Sequence, residues 1–159
     1  MKKWLESPKI IFGALWVLAF ISIVVGLVLS VYCGVVQFLT QGENAPGVGY
    51  AVTALLNGML WWISWGSFMG ICSRLMHEES AFTVKNSQAL QVIGKSVLMM
   101  AAVMCLRSMP ELLVQPDPFL LIEALILPGV FMTVSMLAFI LSRLLDHAMA
   151  LEQEQADVV

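Results

Sequence analysis

Charge is what this sequence has least of. Only 12% of its 159 residues are charged, about half of what a water-soluble domain carries. That deficit excludes a soluble surface and leaves an integral membrane protein. The eight lysines and arginines are too few for a nucleic-acid interface, so no direct nucleic-acid binding is expected. The three cysteines, Cys33, Cys72 and Cys105, are isolated, with no C-x-x-C between them. This argues against a membrane thiol oxidoreductase, which needs paired cysteines near a membrane face. There is no phosphate-binding glycine loop, nucleophile elbow or H-E-x-x-H. No catalytic residue or cofactor is therefore assigned, and a non-enzymatic protein is expected.

What the sequence does have is length of apolar run. Hydrophobic residues make up 60% of it and the mean hydropathy is +0.89. Four runs, about 10–39, 50–76, 88–109 and 119–145, match or exceed the ~20 residues of helix that cross a bilayer core. Only helices satisfy their own backbone within one segment. The expected fold is thus all-α, a four-transmembrane-helix bundle in one domain. A helical extension with an acidic tail over 146–159 is expected beyond it. The first run is too long for a signal peptide, and no small-x-small cleavage site follows it. It is read as a retained span. Lys2, Lys3, Lys9, Arg74, Lys85 and Arg143 all fall on one side of this scheme, and only Arg107 falls near the other. The positive-inside rule then places both termini in the cytoplasm of a multi-pass inner-membrane protein.

Within the spans, small residues recur at helical spacing. Span one carries Ala19, Ser22, Gly26, Ser30 and Gly34 on one stripe, and span three carries Gly94, Ala101, Cys105 and Ser108. Such stripes let helix backbones approach in lipid. The stretch GMLWWISWGSFMG, Gly58–Gly70, divides into three faces. Thr53, Asn57, Ser64 and Ser67 form a polar stripe expected to face the bundle interior. Gly66 and Gly70 form a small stripe for close contact within the chain or in a homo-oligomer. Trp61 and Trp65 stand on the remaining face at mid-depth. They meet either Gly26 and Ser30 of span one, where large rings interlock with small residues, or lipid. Pro128-Gly129 predicts a kink in span four.

Three ionisable residues are candidates inside the membrane: Lys95, Arg107 and Glu123. Arg107 and Glu123 are each about one turn from the outer boundary and can pair across spans three and four. Lys95 can snorkel inward. At the other end, His77 and Glu79 follow span two, and Asp146 and His147 leave span four. These types can ligate zinc, but their spacing is no known metal motif and no metal is assigned. Phe82-Thr83-x-x-Asn86 reads as a helix start, with Thr83 as cap and Phe82 dipping into the interface.

Two pieces carry a family resemblance. SAFTVKNSQALQVIGKSVLM, Ser80–Met99, resembles the lead-in to the third span of a bacterial membrane-protein family, domain of unknown function 2975, on Phe82, Thr83, Asn86, Leu90, Ile93 and Gly94. LLDHAMALEQEQADVV, Leu144–Val159, is similar to that family's end on Leu151, Glu154, Asp157 and Val159, with Ala156 where the family often has a polar residue. The resemblance implies a small bacterial four-span protein with no established activity, encoded near a small helix-turn-helix regulator. The expected function is regulatory or interactive. Its working surface is cytoplasmic, built on Phe82, Thr83, Asn86, Leu151, Glu154 and Asp157, and meets a cytoplasmic protein partner beside the lipid bilayer. The alternative is a small transporter, channel or lipid-binding protein using the intramembrane polar residues.

Overall fold

The computed structural model describes residues 8–41, 45–77, 80–114 and 118–156. Asp157 and Glu79 lie outside them. Four long helices dominate: α1 (Pro8–Gln41), α2 (Ala45–Met76), α3 (Val84–Val114) and α5 (Leu127–Ala156). A short α4 (Pro118–Leu121) and a π-helical turn (Ile122–Ile126) lead straight into α5. No strand occurs among the described residues. At about 1.5 Å per residue each long helix exceeds a ~30 Å hydrocarbon core. Among the described residues three stretches are both long and apolar enough to cross a membrane: Lys9–Val36, Val84–Met109 and Ile122–Gln155. α2 is equally long, but its tryptophans, glycines and polar stripe lower its hydropathy.

Burial is inverted relative to a soluble protein. Leu106, Leu29, Val28 and many other large apolar residues are exposed, whereas Ser64, Ser87, Ser96, Ser108, Ser135 and Ser142 are buried. Such a continuous apolar surface is a lipid-facing one, and small polar residues at helix contacts are its complement. Together with the three span-length helices, this defines a helical membrane protein.

The helices do not close into the expected bundle. Each packs on its neighbour in sequence: α1 on α2, α2 on α3, α3 on α5. Among the described residues α1 makes no close backbone approach to α3 or α5, nor α2 to α5. The result is an open row. In lipid no hydrophobic force pulls the two edge helices together, so each pair holds by its own contacts.

Element boundaries moved outward from the predicted runs. α2 begins at Ala45, so most of the expected outer loop is helix; Pro46 falls in the first turn, where no backbone donor is needed. α3 continues past Pro110 to Val114. The expected kink at Pro128 takes the form of the π turn just before it, where the Leu127 N–H donates to the Ile122 carbonyl. Proline has no N–H for the carbonyl four residues back, that of Ala124. The Cys105 thiol of α3 donates to that carbonyl instead, at 3.6 Å. Cys105, expected to be an inert small residue, thus fills the vacancy left by a proline on another helix.

Candidate functional site

The α1–α2 seam is built from large against small. The Trp61 indole lies over Gly26, where any Cβ would collide with the ring, and Trp61 Nε1 donates to the Ser22 carbonyl at 3.0 Å. Ser30 seats on Gly58, where a Cβ would stand 2.8 Å from its Oγ. Trp65 instead stacks edge-on with Trp61 and with Phe68, ring centroids 5.6 Å apart in each pair. The i, i+4, i+7 spacing places all three rings along one side of α2.

That aromatic ladder is one wall of an apolar groove of about 290 Å³ between α2, α3 and α5. Val97 and Met100 of α3 and Val130 and Val134 of α5 complete it. Ser64 lines it too, and its Oγ is buried with no hydrogen-bond partner among the described residues. Asn57 Oδ1 and Ser108 Oγ are orphaned in the same way. The polar stripe read along α2 therefore splits. Ser64 turns into this groove, while Ser67 lines a second one on the other side.

α3 and α5 are joined by hydroxyls. Ser87 Oγ meets Ser142 Oγ at 2.9 Å, and Ser135 Oγ donates to the Gly94 carbonyl at 2.8 Å. The Phe139 ring covers Gly94. These residues were legible as a pattern: Ser87, Gly94, Ala101 and Ser108 recur every seven, as do Pro128, Ser135 and Ser142. What sequence reasoning missed was the α5 half, and that the two patterns face each other.

At the end where α2 stops and α3 starts, the motif Phe82-Thr83-x-x-Asn86 forms a clasp. Thr83 Oγ1 accepts from the Asn86 N–H at 3.2 Å, capping α3. Asn86 Nδ2 donates to the Ala81 carbonyl at 3.1 Å, and Asn86 Oδ1 accepts from Arg74 Nε at 2.7 Å. Asn86 is buried and Thr83 half-buried, while Phe82 is exposed. Two of this motif's three residues, out of the six expected on a docking surface, are thus turned inward, because their polar atoms close the turn rather than meet solvent.

Other candidates separate by end. Arg107 Nη1 and Glu123 Oε1 form an ion pair at 3.5 Å. Lys95 is exposed on α3. His77 Nδ1 lies 2.8 Å from the Ser73 carbonyl. Among the described residues His77, Asp146 and His147 belong to no group of three metal-ligating side chains. Leu151 and Glu154 are exposed near the end of α5. Gly66 has nothing within 4 Å of a built Cβ, and the nearest group to such an atom on Gly70 is the guanidinium of Arg74, at 3.6 Å. The Gly66-x-x-x-Gly70 stripe therefore makes no helix contact within the described chain; it is the floor of the second groove.

Inverted burial, span-length helices and hydroxyl-bonded seams make this a polytopic helical membrane protein. The chain belongs to the family described as protein of unknown function DUF2975, whose sequence profile matches residues 47–159. The match covers α2 to the C-terminus and leaves α1 outside. No curated protein and no solved structure matches the chain.

Proposed function

We propose that all four long helices cross the bacterial inner membrane, with both termini cytoplasmic, and that the protein is a non-enzymatic interaction protein. The placement of its basic residues supports this orientation. Gly13 lies beside Met76, Arg74 bonds Asn86 and Ser87 bonds Ser142. Lys9, Arg74, Lys85 and Arg143 therefore gather at one end of the row, as the positive-inside rule requires of a cytoplasmic face. A reporter pair tests it: a C-terminal alkaline phosphatase fusion is expected to be inactive and a fluorescent-protein fusion bright.

The working part is the arm of α5. One observation carries this reading. Among the described residues Ser142 makes the last hydrogen bond between α3 and α5, yet the helix continues to Ala156, about 20 Å further. Leu144, Leu151 and Glu154 are exposed along it. An amphipathic, acidic arm suits a helical or basic protein partner, and a helix-turn-helix regulator is such a partner. A photo-crosslinking side chain at Leu151 tests it in cells. A defined protein adduct at Leu151 but not at Leu106 is expected, and mass spectrometry then reads the partner's class. Adducts to lipid alone would sink the proposal. A second reading, binding of an apolar small molecule, is favoured by the orphaned Ser64 hydroxyl in the aromatic-walled groove. Under it, Ser64→Leu displaces a co-purifying apolar molecule; unchanged extracts remove it.

A further inference from the structure

We propose that the groove between α2 and α3 at the basic end is a binding site for a single anionic phospholipid. It holds about 590 Å³ and has two chemically distinct parts. One is apolar: Trp62 and Ile63 on α2, Val92 on α3, and Gly66 as a floor with no side chain. The other is cationic: Arg74 from the last turn of α2 and Lys85 from the first turn of α3. None of the described residues lining it is acidic.

The cationic part is built, not incidental. The buried Asn86 amide fixes Arg74 through Nε, at 2.7 Å. Its guanidinium lies back along α2 beside Gly70, 3.6 Å from where a Cβ on that glycine would stand. A fixed guanidinium presents a fork that matches phosphate oxygens, and Lys85 adds a mobile second charge. The apolar part leads away from these cations along the helices, toward the hydrocarbon. A phosphate at Arg74 and Lys85 therefore puts an acyl chain over Gly66, between Trp62 and Val92. Only a lipid uses both parts, and charge complementarity selects an anionic one. The site is independent of the α5 arm, though it rests on the basic end lying at a membrane surface. It gives the Thr83–Asn86 clasp a purpose, since that clasp sets the position of Arg74.

The test uses the full chain in nanodiscs of phosphatidylcholine with a minor share of phosphatidylglycerol, extracted into detergent, with retained lipid measured by native mass spectrometry. Retention of one phosphatidylglycerol in preference to phosphatidylcholine is expected. Lys85→Gln, an exposed change that leaves the helix seams intact, should lower that preference about fivefold, as should Arg74→Gln. Gly66→Leu puts a side chain on the floor, where a Cβ meets nothing within 4 Å, and should reduce retention of either lipid. Arg143→Gln, a cation on α5 outside the groove, should change nothing. The proposal is overturned if Arg143→Gln matches Lys85→Gln, which would mean general surface charge. It is equally overturned if Gly66→Leu leaves retention intact, or if millimolar inorganic phosphate displaces the bound lipid, which would make the site one for a free anion. The reporter fusions read the orientation separately, so failure of the lipid site and failure of the topology give different results.

Discussion

The two outer seams of the row hold by different physics. Between α1 and α2 the contact is mainly steric: a tryptophan lies on one glycine and a serine on another, and one indole N–H to carbonyl bond, Trp61 to Ser22, crosses the same seam. Between α3 and α5 it is polar: hydroxyl to hydroxyl, hydroxyl to carbonyl and thiol to carbonyl. A steric seam concentrates its strength where the backbone is bare, so a single added side chain can open it. A hydrogen-bonded seam spreads its strength over several weak links, each of which can be lost alone. The difference also follows the family match, which includes the polar seam and leaves α1, half of the steric one, outside.

The comparison can be broken most sharply at Gly26. Replacing it with leucine forces Trp61 out of its seat and is expected to destabilise the protein by about 1–3 kcal/mol, the usual range for overpacking. Gly66→Leu, on the open side of the same helix pair, is the matched control and should be near neutral. Unfolding in mixed detergent micelles measures both, and equal losses would remove the distinction between seat and groove. Gly94→Ala should cost less than Gly26→Ala, because its Cβ would stand 3.1 Å from the edge of the Phe139 ring and a small ring shift accommodates it.

Smaller again is the polar seam taken one link at a time. Ser135→Ala should cost about 0.6 kcal/mol, and a double-mutant cycle on Ser87 and Ser142 should give a similar coupling, since hydrogen bonds between membrane helices average about that value. A coupling above about 2 kcal/mol would mean that the hydroxyls act as one network rather than as separate links. The smallest effect is expected at the end away from the basic cluster. Glu123→Gln should change stability by under about 1 kcal/mol, because its ion pair with Arg107 is partly exposed and stretched to 3.5 Å.

Much of this was legible in the chain itself. Helix content and membrane residence follow from composition and run length, because lipid leaves a backbone no other partner than itself. The glycine at position 26 could be matched to the tryptophans of α2, since a large ring in lipid needs a small neighbour. Trp65 could not be separated from Trp61 this way. The two stand one turn apart on the same face, and only the angle between α1 and α2 decides that one meets α1 and the other turns to Phe68 and the groove. The small stripe of α3 was read from the sequence and the matching residues of α5, Ser135 and Ser142, were not; a stripe does not say which helix it faces. Asn86 read as a surface residue because it lies in the short polar lead-in between two spans. Its partner, Arg74, lies across a turn whose path the sequence does not specify.

The sequence by itself determined that this is a helical membrane protein, where its long helices lie and which end is basic. Each of these is a sum over many residues, and local chemistry is enough to set a sum. Tertiary structure alone decided that the helices stand in an open row, that Cys105 replaces the bond Pro128 cannot make, and that Gly66 and Gly70 line a groove instead of a seam. Each of those depends on which faces meet. In lipid that choice rests on a few close contacts, with no general hydrophobic drive to fix it in advance.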